Sequence, residues 1–92
     1  MATLYRADGT VQEYPAPKNG SDYSLAELTA AIGGGHLEFL GLGDGRLMVF
    51  DEEGKLKGFP INEAATMLAR SRLGPGDSLV GDVLVCRMEL VD

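Results

Sequence analysis

The spacing of apolar and polar residues along this chain changes several times, and each change marks a new element. "TLYR" and "TVQEY" flank "ADG", and an Asp-Gly pair between two β-prone runs predicts a hairpin. In the second run Val11 and Glu13 oppose Gln12 and Tyr14, so that strand is expected to be half exposed. "PAPKNGSD" carries two prolines and an Asn-Gly pair and reads as a surface loop. "SLAELTAAIGGG" then has helix grammar. Ser24 and Glu27 form a capping box, Leu25, Leu28 and Ile32 fall on one apolar face, and Gly33 to Gly35 supply the stop.

The alternation returns in "HLEFLGLGDGRLMVFDEEG", which predicts two strands joined at Gly43-Asp44-Gly45. Leu37, Phe39, Leu47 and Val49 are expected on one side of them. "DEEG" closes the second strand, and "KLKGF" is expected to return as a short third one. Asn62 is a good N-cap for "EAATMLARSRL", whose apolar stripe is Ala64, Ala65, Leu68 and Ala69. Arg70 and Arg72 fall where the helix dipole favours cations, and Gly74-Pro75-Gly76 ends the helix. The last run, "SLVGDVLVCRMEL", predicts a central strand interrupted at Gly81-Asp82. The order ββαββ(β)αβ implies a small single α+β domain over residues 1–92. Its sheet is expected to be antiparallel or mixed, with both helices packed on one face and the other face open to solvent or a partner.

Composition narrows the function classes. The chain has 92 residues, with fourteen acids against eight bases and a formal charge of −6. Its bases are dispersed, so direct binding of a phosphate backbone is not expected. A single cysteine, Cys86, excludes an intrachain disulfide and reads as a buried apolar residue. The start "MATLYRADGT" lacks a basic region followed by an apolar one, and no apolar run approaches ~18 residues. The expectation is a soluble cytoplasmic protein without membrane contact.

Candidate chemistry is sparse. "GLGDG" fails as a dinucleotide fingerprint, because Arg46 stands where the third glycine belongs and a strand follows. "DEEG" fails as a calcium loop, because its twelfth position is Asn62 instead of a bidentate glutamate. His36, the sole histidine, has neither nucleophile nor orienting carboxylate beside it in a recognisable pattern. No catalytic residue, metal or cofactor is expected. Two weaker candidates remain in "DEEGKLKGFPINEAAT". Asp51, Glu52 and Glu53 form an acidic turn suited to protein contact. Lys55, Lys57, Asn62, Glu63 and Thr66 cluster around a helix start, whose N–H groups suit an anion.

Across Glu53-Gly54-Lys55-Leu56-Lys57-Gly58, Pro60 to Thr66, and Leu79-Val80-Gly81-Asp82, the chain resembles the small proteins grouped as domain of unknown function 3846. "LYRADGTVQEY" and "GGGHLEFLGLGDGRLMVF" fit the same layout. The resemblance brings no catalytic residue, but it implies a setting of phages, prophages and plasmids. In that setting a small acidic protein is expected to act by binding a host protein or protein complex. The leading expectation is therefore a non-catalytic acidic binding protein of a mobile genetic element, inhibiting a host defence complex that targets nucleic acid. Alternatives are a sponge for a nucleotide-like signal and a structural or regulatory homodimer.

Overall fold

The computed structural model describes residues 2–91. Strands β1 (Ala2–Tyr5) and β2 (Val11–Tyr14) form the N-terminal hairpin, with Ala2 opposite Tyr14 and Tyr5 opposite Val11. Strands β3 (Leu37–Gly41) and β4 (Arg46–Asp51) form the second hairpin, with Phe39 opposite Val49. Strand β5 (Val83–Arg87) joins the two, pairing with β1 on one side and β4 on the other. The result is a five-stranded, fully antiparallel sheet in the order β2-β1-β5-β4-β3, so the chain is α+β as its element order implied.

Helix α1 (Leu25–Ala31) begins with the expected capping box: the Ser24 hydroxyl accepts from the Glu27 N–H at 3.1 Å, and the Glu27 carboxylate accepts from the Ser24 N–H at 2.9 Å. Leu28 and Ala31 are buried, with Ile32 beside them, whereas Leu25 is 70% exposed and outside the core. The core position at this end is taken by Tyr23, whose ring meets that of Tyr14 at 5.9 Å. Helix α2 (Glu63–Leu68) is shorter than its apolar stripe suggested and tightens into a 3₁₀ turn at Arg70–Arg72. Ala65 and Ala69 are buried, while Ala64 is exposed.

The helices lie on opposite faces of the sheet, not on one. Leu84, Cys86, Leu4 and Val49 pack with Leu28 and Ala31 of α1. Val83, Val85 and Met48 pack with Ala65 of α2 and with Ala69 and Leu79. Successive strand residues face opposite ways, and all four residues of "VLVC" are buried. A strand apolar on both sides needs cover on both sides. Two small cores form, separated by the sheet, and neither face is left open along its whole width. "KLKGF" adds no third strand to this hairpin. Residues 52–58 coil through successive turns, with Gly54 N–H on Asp51 O at 3.1 Å, Lys57 N–H on Glu53 O at 3.0 Å and Gly58 N–H on Lys55 O at 3.2 Å. Gly58 has a φ of 75°, outside the range of a strand.

Candidate contact site

The segment from Asp51 to Thr66 separates into an inward half and an outward half. Asn62 is 1% exposed and uses its whole amide internally. Its Oδ1 accepts from the Ala65 N–H at 3.1 Å, and its Nδ2 donates to Tyr5 O at 2.7 Å and Gly81 O at 2.8 Å. One side chain thus caps α2 and ties it to the end of β1 and to the bend before β5. Thr66 is equally committed: its hydroxyl donates to Asn62 O at 2.8 Å and accepts from the Leu79 N–H at 2.9 Å. Lys57 donates to Asp51 at 2.6 Å, and Lys55 is paired with Asp77. Glu63 is exposed in the first turn of α2. The five residues expected to form an anion site are therefore not assembled as one. Four of them already hold the fold together.

Asp51 also leaves the surface. It is 5% exposed and sits under the loop that follows α1. One oxygen accepts from Lys57 Nζ and the other from the Glu53 N–H at 2.9 Å. Burial pushes its carboxyl pKa up, but the Lys57 ammonium, the Glu53 amide and the His36 backbone outweigh it and hold it below the ordinary range. Gly35 makes room for this arrangement. Its φ is 99°, and a β-carbon there would collide with the Asp51 carboxylate.

Glu52 and Glu53 do reach the surface. Glu52 N–H donates to His36 O at 2.9 Å, which extends the β3–β4 ladder by one rung and leaves the carboxylate outside. Glu53 approaches His36 Nδ1 at 3.6 Å. A third acid, Glu38, was not singled out from the sequence, although it was findable there. A hairpin centred on Asp44 sets Glu38 opposite Phe50, on the same side as Glu52. Glu38 and Glu52 flank a cavity of about 220 Å³ whose apolar lining is Leu40, Phe50, Leu73, Leu79 and Val80. The Lys55–Asp77 pair also lines it.

The reactive side chains are placed quietly. Cys86 is buried against β1 and α1, and burial raises its thiol pKa, which disfavours the nucleophilic thiolate. No group of three or more His, Cys, Asp or Glu side chains among the described residues is arranged to hold a metal ion. No helix among them is long and apolar enough to cross a membrane.

A small antiparallel sheet covered by one helix on each face, with an acid-flanked cavity beside an edge strand, defines the class: a compact α+β domain with a surface cleft. Residues 4–90 match the family described as "Domain of unknown function (DUF3846)", and the chain belongs to that family. No curated protein and no solved structure shows significant similarity to it.

Proposed function

We propose that this protein is a non-catalytic binding module that works by setting its acidic surface against a basic surface of a partner protein. The observation that carries the reading is the way its charges are distributed. Five of its eight bases, Arg6, Arg46, Lys55, Lys57 and Arg87, are already within ion-pair distance of this chain's own carboxylates. Glu38 and Glu52 are exposed and have no cation within that distance among the described residues. The unneutralised charge on the cleft is thus negative, where a partner can reach it. In the mobile-element setting that the family resemblance implies, the target is a nucleic-acid-binding surface of a host defence complex, and the action is occlusion of that surface in the host cytoplasm.

The test is capture of partner from host lysate by immobilised protein across a salt series, with duplex DNA as competitor. Exposed charge pairs separated by more than about 8–10 Å are screened at physiological salt, so capture should weaken as salt rises and DNA should displace the bound partner. Capture that is indifferent to salt and to DNA would count against the reading. So would turnover of any substrate by the pure protein that is lost in His36→Ala or Glu63→Ala.

A further inference from the structure

The cleft lies beside the β3 edge of the sheet, and the two features fit a single occupant. Glu52 N–H donates to His36 O and Leu42 N–H donates to Arg46 O, so the rungs between β3 and β4 fall on the even-numbered residues of β3. In an antiparallel ladder the residues between rungs turn their N–H and C=O groups the other way. Leu37, Phe39 and Gly41 therefore present theirs along the outer edge. The bond from Arg72 Nε to Gly41 O at 3.1 Å, made from outside the sheet, bears this out. Strand β3 pairs only with β4, and no bond to the outward groups of Leu37 or Phe39 is made among the described residues.

Side chains of a strand added beside β3 would stand next to Glu38 and Leu40 on the α2 side, over the cleft. At about 220 Å³ the cleft is smaller than the roughly 300–1,000 Å³ of drug-sized ligand pockets. It suits one long side chain, not a nucleotide. Its apolar lining matches an aliphatic stem, and the Glu38 and Glu52 carboxylates that also line it match a cationic tip. Resting on the contact reading above, we infer that an extended segment of the partner adds to the β3 edge and seats an arginine or lysine side chain in this cleft. A second copy of this chain fits less well: β3 reads "LEFLG" and brings no base, so a β3–β3 pair would set Glu38 near its own counterpart.

The probe is a nine-residue peptide alternating valine and arginine, followed by amide chemical shifts of the whole protein at low salt. Three controls replace arginine by citrulline, replace arginine by glutamate, or put proline at alternate positions. Saturable binding of the arginine peptide is expected, with shifts confined to Leu37–Gly41, to Phe50 and Leu79, and to Glu52 with its ladder partner His36. The citrulline, glutamate and proline peptides should each bind more weakly. Glu38→Gln combined with Glu52→Gln should weaken the arginine peptide about tenfold, from two exposed charge pairs lost; both positions are exposed, so the fold is unaffected. Equal binding of the citrulline or proline peptide would overturn the inference. Arginine-dependent shifts centred on Glu13 and the β2 edge instead would also overturn it, while leaving the acidic-contact reading standing. No binding of the arginine peptide anywhere would sink both. Concentration-dependent dimerisation that shifts the β3 amides would make a second copy the occupant and reject the basic segment.

Discussion

Asn62 and Glu52 are ten positions apart in a stretch that looks uniformly like a site, yet they do opposite work. Asn62 points inward, and three partners consume its amide. Glu52 gives only its backbone N–H to the fold and leaves its carboxylate outside. The helix end, with its polar residues and nearby lysines, resembles an anion site, but its valences are spent. The acidic turn, expected from the sequence as a protein-contact surface, borders the cleft. Polar character alone does not mark a functional surface. What marks it is a polar group whose hydrogen-bonding or charge capacity is left unmatched.

If this division is right, substitutions at the inward half should cost stability and those at the outward half should not. Asn62→Ala should have the largest effect. It removes a helix cap and strands one buried and one half-buried carbonyl, at a cost of about 3 kcal/mol, read from chemical denaturation. Asp51→Ala should cost about 2 kcal/mol. The buried carboxylate holds a backbone amide, but its Lys57 partner is partly exposed, which keeps the loss below that of a fully buried pair. Gly35→Ala should fall near it, at about 1–3 kcal/mol, because a left-handed residue is strained and its β-carbon meets Asp51. For both variants a lower denaturant midpoint is the readout, and an unchanged midpoint would remove Asp51 from the framework.

Asp51 also predicts a pH response. Its folded pKa lies below the ordinary value of about 3.9, so its contribution is complete above that pH. The contribution is lost as pH falls from there through the depressed folded value. Wild type should lose stability in that acid window more steeply than Asp51→Asn. Smallest of all, Glu38→Gln and Glu52→Gln should each change stability by no more than about 0.5 kcal/mol. A large loss in either would erase the distinction between the halves.

Much of the fold was legible locally. The Asp-Gly turns, the Ser24–Glu27 box and the Asn62 cap each need only a few neighbouring residues, and the two hairpins and two helices they mark are all present. "KLKGF" looks strand-like by its residue types, but the turns at Gly54 and Gly58 coil the backbone there. The placement of both helices on one face missed the information in "VLVC", an unbroken apolar run that calls for cover on two sides. Of the proposed contact residues, Glu52 and Glu53 could be named from the acidic turn. Glu38 required the register of the hairpin, and Asp51 could be set aside only once Lys57 was seen folded back on it.

Strand period, caps and turns were determined by the chain alone, because they rest on interactions among residues within a few positions of each other. Which face each helix covers and which polar groups are used up were decided by the tertiary structure. The partners that settle those matters come from afar: Asn62 is held by Tyr5, 57 positions away, and by Gly81, 19 positions away. No local pattern encodes such pairings, because they exist only after the sheet has brought both ends of the chain together.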